Sequence, residues 1–412
     1  MRDVAALVLA GGRVEELSVL TQLRPKAAVP FGGQYRIIDF AISSLVRSGF
    51  QRIGVISFYR PSSLIDHLGV GEPWELTGRG QGIKLLPPYA AQEGYSLHRG
   101  TADAVFHNLA YVERRGTRDV LILSGDHIYG MDFRPLVEQH RRSGADLTMV
   151  VKRLDDPPAS GWFGYASLDG AGRVRDYAEK PPRPLSDMVS LTIYLVRLEV
   201  LRARLRQNQR RGRTFQLAGE ILPAMVAEDR VMAFRYDGYW NYSRTSAAYL
   251  QANQDLLPAR PRIDLDAWCV RSRQQLLGLG DLPPARFAAG ARCRRSVVAP
   301  GTCVAGRVTR SILFPGVHVE AGARVEDCVI MNDCHIGSEA RLHRCILDKQ
   351  VLVGRGARCG RADGAPTVIG KAARLAEGAR VEAAMSISPG VGWPAAASDA
   401  GGQRAPAGEE SP

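Results

Sequence analysis

Two places in this chain have the residue types and positions that phosphate chemistry requires. Gly11 and Gly12 follow an apolar run, Val4 to Ala10, that reads as a buried strand. Glycines at such a point let the backbone approach a ligand and offer N–H groups to phosphate oxygens. Asp126 follows a second apolar run, 119–123, where a carboxylate is placed to hold a hard cation such as Mg²⁺. The simpler readings are a plain turn for the glycines and a turn cap for Asp126.

Later in the chain, Glu179 and Lys180 could recognise a phosphorylated sugar. A glutamate can accept hydrogen bonds from sugar hydroxyls, and a lysine meets a phosphate as a point charge. The alternative is an ordinary solvated ion pair. His127, next to Asp126, could act as a base, but we predict a structural role for it. Phosphoryl transfer depends mainly on positioning and charge neutralisation, which need no such base.

The elements that must position these residues alternate between strands and helices from Val4 to about Leu256. Apolar strands are predicted at 53–58, 119–123 and 147–151, and a helix at 37–46 ends before Gly49. This alternation predicts an α/β fold with a Rossmann-like sheet and right-handed crossovers. Ligands of such sheets bind beyond the carboxyl ends of the strands, where Gly11 and Asp126 both fall. Thr101 is predicted to be the N-cap of a helix over 102–112.

A different pattern begins after Leu256. Residues 257–284 read as a linker, and from about 286 small residues and glycines separate aliphatic positions at a repeat of seventeen residues. Three columns recur at this spacing: 319, 336 and 353; 325, 342 and 359; 313, 330 and 347. Three short faces per coil predict a left-handed parallel β-helix of hexapeptide repeats over 285–385. The segment 386–412 is rich in proline, alanine, glycine and glutamate, has too few apolar residues to fold, and is predicted to be disordered.

Composition limits the partners and the compartment. The net charge of +12 and a pI near 9.6 favour anionic partners. A cluster of arginines between 202 and 213 has no interleaved aromatic residues, so we interpret it as a solvated basic surface and expect no nucleic acid partner. The alternative for this cluster is the binding of an effector or a polyanion. Seven cysteines without metal-binding spacing favour reduced thiols. We find no apolar run of membrane length and no export signal, and therefore expect a cytoplasmic protein without a membrane partner.

Several ordered blocks in the first 255 residues resemble the sugar-phosphate nucleotidylyltransferases, and within them the glucose-1-phosphate adenylyltransferases. The first spans Leu9 to Arg13, and the second runs from Arg24 through Lys26 to Gly33 and on to Phe40. Two more are Arg99-Gly100-Thr101-Ala102-Asp103-Ala104-Val105 and Gly125-Asp126-His127-Ile128-Tyr129. A carboxyl-terminal β-helix, used for oligomer contacts and effectors, is also typical of this family.

The resemblance implies an activity and a set of site residues. The reaction is ATP plus glucose 1-phosphate to ADP-glucose plus pyrophosphate, with Mg²⁺ as cofactor, in glycogen-type polysaccharide synthesis. The implied catalytic residues are Lys26 and Asp126, and Asp126 is also the implied metal ligand. The implied nucleotide-binding residues are Leu9, Ala10, Gly11, Gly12, Gly100, Thr101 and Ala102. The implied sugar-phosphate-binding residues are Gly164, Glu179, Lys180 and Ser190. An oligomer, with itself or with a related subunit, is implied as well.

Some positions depart from the family pattern, and two of them concern charge. Glu16 replaces an arginine that neutralises the triphosphate, and Tyr242 replaces an aspartate that binds metal. A carboxylate about 5 Å from a phosphate charge costs on the order of 3 kcal/mol at an effective dielectric near 20. Thr192 stands in place of a glycine, and Tyr89 and Leu97 differ from the usual nucleotide-loop residues. The block that contains Tyr242, residues 238–245, lines up with Gly-Tyr-Trp-x-Asp-Val-Gly-Thr of the family, which puts Arg244 opposite a glycine.

Two hypotheses therefore stay open on the sequence. The chain is either an adenylyltransferase with Asp126 as its main metal ligand, or a catalytically impaired homologue that acts as a regulatory or scaffolding subunit. A third reading, an arginine-rich nucleic-acid-binding protein, is the least favoured.

Overall fold

The chain divides into two compact units, Met1–Pro283 and Pro284–Pro412. The computed structural model describes residues 1–12, 14–57, 59–87, 98–113, 116–155, 161–274 and 281–395. Arg13, Tyr89, Leu97 and residues 396–412, which figure in the sequence analysis, lie outside these ranges.

The first unit combines strands with helices, as the alternating pattern predicts. Its strands are β1 (Val4–Leu9), β2 (Pro30–Phe31), β3 (Tyr35–Arg36), β4 (Arg52–Ile56), β5 (Gly82–Leu86), β6 (Asp119–Ser124), β7 (Ile128–Tyr129), β8 (Leu147–Arg153), β9 (Gly164–Leu168), β10 (Val174–Glu179), β11 (Met188–Arg197), β12 (Val231–Arg235) and β13 (Trp240–Asn241). Its α-helices are α1 (Ile38–Arg47), α2 (Ser62–Leu68), α3 (Thr101–His107), α4 (Leu109–Val112), α5 (Arg134–Ser143), α6 (Leu198–Arg211), α7 (Leu222–Glu228) and α8 (Ser246–Gln254). Short 3₁₀ turns occupy Glu15–Thr21, Lys26–Ala28 and Glu72–Trp74, and a π-helical turn occupies Leu217–Ile221.

The main sheet has the strand order β10-β9-β11-β6-β1-β4-β5, with β8 beside β11 and β12 beside β8. Strand β1 is central and parallel to both β4 and β6, which confirms the α/β prediction. The sheet is mixed, however, because β11 runs antiparallel to β6 and to β8. Strand β9 lies between β10 and β11 and pairs antiparallel with both, so β10 and β11 run in the same direction.

The register of β1 and β6 brings the two predicted phosphate-binding points together. Leu9 at the end of β1 pairs with Ser124 at the end of β6, so Gly12 and Asp126 follow at the same edge. Apolar side chains on both faces anchor these strands. Val8 packs in a cluster with Ile38 of α1, whereas Leu7 packs on the other face. The sheet edge is thus held rigidly from both sides.

The predicted linker over 257–284 is wrong where the structure describes it, because this segment packs on the first unit. Ile263 is fully buried, and the Trp268 ring lies 6.2 Å from the Phe40 ring. A Cβ atom at Gly130 would lie only 2.2 Å from Trp268, so that glycine makes room for the ring. The run Pro-Ala-Arg-Pro-Arg at 258–262 opens the segment like a linker and obscures these two apolar anchors.

The second unit is a stack of short parallel strands in three sheets, which fits the predicted left-handed β-helix. One sheet contains β14 (Arg286–Phe287), β17 (Cys303–Val304), β20 (His318–Val319), β23 (His335–Ile336), β26 (Leu352–Val353), β29 (Arg374–Leu375) and β32 (Gly392–Trp393). A second contains β15 (Arg292–Arg294), β18 (Arg307–Thr309), β21 (Arg324–Glu326), β24 (Arg341–His343), β27 (Arg358–Cys359) and β30 (Arg380–Val381). The third contains β16 (Val297–Val298), β19 (Ile312–Leu313), β22 (Val329–Ile330), β25 (Cys345–Leu347), β28 (Thr367–Ile369) and β31 (Ser386–Ile387).

The three predicted columns are confirmed as register partners. Val319 pairs with Ile336 and then with Val353, and the other two columns pair in the same way. These side chains form the buried core of the unit. Cys328 and Cys345 lie on neighbouring coils, and all seven cysteines are free.

The β-helix extends past residue 385, where disorder is predicted to begin. Strand β31 pairs with β28, and Ile387 is buried against the core. Strand β32 pairs with β29 and places Trp393 over Leu375. The prediction missed these strands because Ile387 and Trp393 are isolated apolar residues in a polar segment. In the described ranges, no helix has both the length and the apolar character of a membrane span.

Candidate functional site

A cavity of about 930 Å³ lies at the carboxyl edge of the main sheet. It gathers residues from sequence blocks that are far apart in the chain. The lining residues are Leu9, Gly12, Val14, Glu15, Glu16, Thr101, Ser124, Asp126, His127, Trp162, Phe163, Gly164, Glu179, Lys180, Ser190, Thr192, Tyr194, Gln216, Leu217, Ala218, Tyr242 and Arg244. Eight of the predicted site residues belong to this set, and the other predicted residues lie behind it.

The glycine loop after β1 contributes unequally to the cavity. Leu9 and Gly12 line it, whereas Ala10 and Gly11 are buried behind the wall. The carbonyl of Gly12 accepts a hydrogen bond from the backbone N–H of Lys26, at 3.3 Å. This bond ties the loop to the turn that carries the lysine.

The second segment predicted to bind nucleotide, residues 100–102, reaches the cavity through Thr101. Gly100 packs so closely on the 214–215 backbone that a Cβ atom would lie 2.3 Å from the Phe215 carbonyl oxygen. Ala102 is fully buried and donates its N–H to that same oxygen. Glycine and alanine at these positions therefore bring Thr101 to the cavity wall by close backbone approach.

The predicted N-cap role of Thr101 is wrong. Thr101 is the first residue of α3, and the helix breaks at Asn108 before α4 begins. Its hydroxyl accepts from the Leu217 N–H at 2.8 Å and donates to Gln216 Oε1 at 3.1 Å. The hydroxyl bonds across to the neighbouring loop instead of to its own helix, and so ties that loop to the cavity wall.

A buried ion pair lies at the floor of the cavity. The Lys26 ammonium is 3.2 Å from Asp126 Oδ2 and also donates to the Tyr242 carbonyl. The Ser124 hydroxyl donates to the other Asp126 oxygen. Lys26 is 1% exposed and Asp126 is 18% exposed, so the carboxylate faces the cavity and the ammonium lies behind it.

The pKa values of this pair show that both groups are charged at neutral pH. Burial lowers the pKa of Lys26 to about 8, against the opposing effect of the Asp126 carboxylate. Burial by itself raises the pKa of Asp126, but the charges of Lys26 and His127 and the Ser124 hydrogen bond outweigh it and hold this pKa at about 2. The Asp126 carboxylate on the cavity floor is therefore charged and already partly neutralised by Lys26.

Aromatic rings surround the pair. The Lys26 ammonium lies 3.8 Å from the centre of the Tyr242 ring, and burial raises the pKa of this phenol. Burial also lowers the pKa of His127 to about 4, so its ring is neutral at pH 7. Trp240 Nε1 donates to His127 Nδ1 at 3.2 Å. These contacts agree with a structural role for His127. The raised pKa of Tyr242 keeps its phenol neutral at pH 7.

A second ion pair crosses the mouth of the cavity. The Arg244 guanidinium is 2.6 Å from Glu16 Oε1, and both side chains line the wall. Burial raises the pKa of Glu16, but hydrogen bonding and the charge of Arg244 give a net lowering. Arg244 stands where the family pattern has glycine, and Glu16 stands where it has arginine. A positive charge therefore remains at this place, supplied by another part of the chain.

The sugar side of the cavity is built around Glu179. The Tyr177 hydroxyl donates to Glu179 Oε2 at 2.6 Å and fixes the carboxylate. A Cβ atom at Gly164 would lie 2.2 Å from the Tyr177 hydroxyl oxygen and 2.8 Å from Glu179 Oε2, so only glycine fits there. Lys180 follows with a positive φ of 47° and donates its N–H to the Phe163 carbonyl. The turn places both predicted residues on one wall.

Strand β11 completes this wall. Ser190 Oγ lies 3.2 Å from the Tyr194 hydroxyl oxygen, and the strand register shifts between these two residues. Thr192 lies in that irregular stretch with a φ of 55°, a left-handed conformation that is costly for a β-branched residue. This explains why the family pattern has glycine at the position.

Some lining residues were not predicted from the sequence. Among them are the polar residues Arg244 and Gln216. Phe163 is another, and its ring centre lies 5.5 Å from that of Tyr242. Arg244 could have been predicted, because it is a charged residue at a position where the family pattern has glycine. Gln216 gave no signal, because its role depends on the hydrogen bond from Thr101.

The donor set bears on magnesium. Mg²⁺ is usually bound by one or two carboxylates together with substrate phosphates. Asp126 supplies one carboxylate on the cavity floor, and Tyr242 supplies none. The site therefore fits Mg²⁺ with the smallest number of carboxylates that usually binds this ion. Within the described ranges, the only cluster of three acidic or histidine ligands is Glu326, Asp327 and His343 in the β-helix. Arg310 already pairs with both carboxylates there.

Comparison with known proteins places the chain in a family. Residues 5–258 match the nucleotidyl transferase family model, and residues 283–365 match the model of the GlmU-like C-terminal hexapeptide. A glucose-1-phosphate adenylyltransferase of Thermomicrobium roseum is 42% identical over 308 residues, 74% of this chain and 71% of the relative. One of Acetivibrio thermocellus is 34% identical over 404 residues, 94% and 93% of the two chains.

The chain belongs to the glucose-1-phosphate adenylyltransferase family. A further member, from Thermotoga neapolitana, is 38% identical over 331 residues, which cover 79% of this chain and 77% of that one. The resemblance seen in the sequence blocks is thereby confirmed, as is the two-part architecture of a nucleotidyl transferase domain and a hexapeptide β-helix. Glu16, Tyr242 and Arg244 are then departures within this family.

Proposed function

We propose that the protein is a glucose-1-phosphate adenylyltransferase. A phosphate oxygen of glucose 1-phosphate attacks the α-phosphorus of ATP, and the bond between that phosphorus and the oxygen leading to the β-phosphate breaks. ADP-glucose forms and pyrophosphate leaves; the product serves glycogen-type polysaccharide synthesis. The observation that carries the proposal is that one cavity is lined by the glycine loop, by Asp126 and by the Glu179–Lys180 wall.

The chain's own charges support this chemistry. Phosphoryl transfer is accelerated mainly by holding the reacting groups in line and by neutralising the phosphate charge. Lys180 and Arg244 both line the cavity. In this proposal Lys180 would meet the sugar phosphate, and Arg244 would meet the triphosphate in place of the arginine that Glu16 replaces. Glu179, fixed by Tyr177, orients the sugar through its hydroxyls.

Magnesium is part of the proposal. Asp126 would hold the ion together with phosphate oxygens of the substrate, and the bound ion would supply neutralisation of the phosphate charge. Lys26 lies behind Asp126 and holds this carboxylate in its charged form. With Tyr242 in place of a second carboxylate, we expect weak metal binding.

A second candidate function follows from the same floor of the cavity. The Lys26–Asp126 pair satisfies the carboxylate internally, and Tyr242 covers the ammonium. A chain that binds its substrates without turning them over would be a regulatory or scaffolding subunit of a related enzyme. Assembly into a homo- or hetero-oligomer and a cytoplasmic location stay predictions for both candidates.

A product assay separates the candidates. The purified protein is incubated with Mg²⁺, each of the four nucleoside triphosphates and glucose 1-phosphate, and nucleotide-sugars are separated by chromatography. Formation of ADP-glucose in preference to the other nucleotide-sugars supports the first candidate. Substrate binding without any nucleotide-sugar, observed by calorimetry on the same sample, favours the second.

A further inference from the structure

Six arginines form one column on an outer face of the β-helix, in the sheet that contains β15 and β30. Each pairs in parallel register with the arginine of the next coil. The column consists of Arg292, Arg307, Arg324, Arg341, Arg358 and Arg380, and all six are exposed. Neighbouring strands of a sheet lie about 4.8 Å apart, so the column presents one cation per coil over roughly 24 Å.

The sequence builds this column by repetition. An alanine or glycine precedes each arginine, and an apolar residue or Cys293 follows it. Side chains alternate across a strand, so in the coils around Val325, Leu342 and Cys359 the following residue points into the core while the arginine points out. The arginines are therefore locked in register by the packing of the helix interior.

The column is confined to one of the three faces. In the first sheet the equivalent outward positions carry Arg286, Cys303, His318, His335, Leu352, Arg374 and Gly392. In the third sheet the positions that pair in register carry no charge; they are Val297, Ile312, Val329, Ile346, Val368 and Ser386. A general excess of arginine in the composition would spread the charge over all three faces. Its concentration in one column therefore points to a specific role.

The charge of this face is not compensated within the described part of the unit. Residues 284–395 contain 16 arginines and lysines but only nine aspartates and glutamates. Glu326, the acidic residue on the same face as Arg324, is paired with Arg310 and with His343. In the described ranges no ion pair joins a carboxylate to any of the six arginines. Like charges opposite one another destabilise a sheet, so a ligand that neutralises them binds favourably.

We propose that the arginine column binds a linear polyphosphate. Guanidinium groups bind phosphate oxygens through two parallel hydrogen bonds, and a polyphosphate carries a negative charge on every unit of a flexible chain. It can therefore place an oxygen opposite each coil. The site is independent of the nucleotide cavity of the first unit.

Two other kinds of polyanion fit less well. Single-stranded nucleic acid is held by aromatic residues on which bases stack, and the strands of this sheet contain no phenylalanine, tyrosine or tryptophan. An extended acidic peptide places side chains on one face about 6.6 Å apart, which falls out of step with coils about 4.8 Å apart. A polyphosphate has neither requirement.

The test compares two triple variants that lose the same charge. R324Q/R341Q/R358Q removes the centre of the column, and R206Q/R210Q/R211Q removes three exposed arginines of α6. Binding of a fluorescently labelled linear polyphosphate to the full chain is measured by anisotropy at several salt concentrations. We expect at least a tenfold loss of affinity and a shallower salt dependence for the column variant, and less than a twofold change for the control.

Either of two results would overturn the proposal: equal losses in both triple variants, or binding of a single-stranded thymidine oligonucleotide of equal charge as tight as that of polyphosphate. Thermal melting verifies that each variant is folded. If the triple variant does not fold, the single variant R341Q provides the same comparison, with an expected loss of about twofold to threefold against R210Q.

Discussion

At the scale of single residues, the positive charge that the family pattern places at position 16 comes from Arg244 in this chain. Its guanidinium lies 2.6 Å from Glu16 Oε1 and lines the cavity. Under the proposed function ATP lies against this pair, so we expect Arg244 to neutralise the triphosphate and Glu16 to oppose it. The two residues should therefore have opposite effects on ATP binding.

This first prediction is tested by two charge-removing variants. Arg244→Gln should raise the KM for ATP by about 10- to 100-fold, because a hydrogen bond to a charged group contributes about 1.5–3 kcal/mol. Glu16→Gln should lower the KM for ATP, since it removes a carboxylate near the phosphates. The control is Glu138→Gln, whose side chain is 75% exposed on α5. An unchanged KM in Arg244→Gln would show that this arginine does not meet the triphosphate.

The second prediction concerns the missing metal carboxylate. Tyr242→Asp should lower the Mg²⁺ concentration needed for half-maximal activity by about tenfold, because a second carboxylate joins Asp126 on the cavity floor. Tyr242→Asn is the matched control, because asparagine has the size of aspartate but carries no charge. Titration of activity with Mg²⁺ in both variants gives the answer. Equal Mg²⁺ requirements in the two would mean that position 242 does not reach the ion.

At the scale of elements, the loop that carries Gln216 into the cavity is held by one carboxylate. Glu220 accepts the backbone N–H groups of Arg213, Thr214 and Phe215 and the side-chain amide of Asn208. Burial raises the pKa of Glu220, but these hydrogen bonds outweigh it and lower the pKa from 4.5 to about 2. The folded state therefore favours the charged form.

This difference gives a pH-dependent stability. The contribution of Glu220 should be fully present above about pH 4.5 and lost as the pH falls toward 2. We expect Glu220→Gln to lower the free energy of unfolding by about 2 kcal/mol at pH 7 and by clearly less near pH 3. Denaturant unfolding at both pH values measures it. A penalty that is the same at both would contradict the assigned charge state.

Strand β11 offers a prediction on backbone strain. Thr192 has a φ of 55°, a conformation that costs about 1–3 kcal/mol for a residue other than glycine. Thr192→Gly should raise stability by about 1 kcal/mol after the greater entropy of the unfolded glycine chain is counted. Thr192→Val keeps the branched side chain and should give no gain. A lower melting temperature for the glycine variant would show that Thr192 contacts outweigh the strain.

At the scale of the whole molecule, the periodic patterns were the most informative part of the sequence. The seventeen-residue spacing gave the register of the β-helix coils, because every coil must bury the same columns. The apolar runs located β1 and β6 and hence the edge where Gly12 and Asp126 meet. These features follow from local rules of strand burial.

Other features depend on contacts that no local pattern encodes. The antiparallel direction of β11 depends on its pairing with β6 and β8, and the packing of 257–274 depends on the contacts that Ile263 and Trp268 make elsewhere. The pairing of Glu16 with Arg244 joins residues that are 228 positions apart. The sequence showed both charges as departures but not that they meet.

The central claim is that this cavity transfers an adenylyl group with Asp126 at its floor. Pyrophosphate release from ATP, glucose 1-phosphate and Mg²⁺ tests it most directly, with Asp126→Asn as the variant that keeps the shape and loses the charge. Turnover by the natural chain, reduced at least 100-fold in Asp126→Asn while ATP still binds, is the predicted result. No release by the natural chain, in a sample that binds both substrates, would contradict the claim and favour the regulatory subunit.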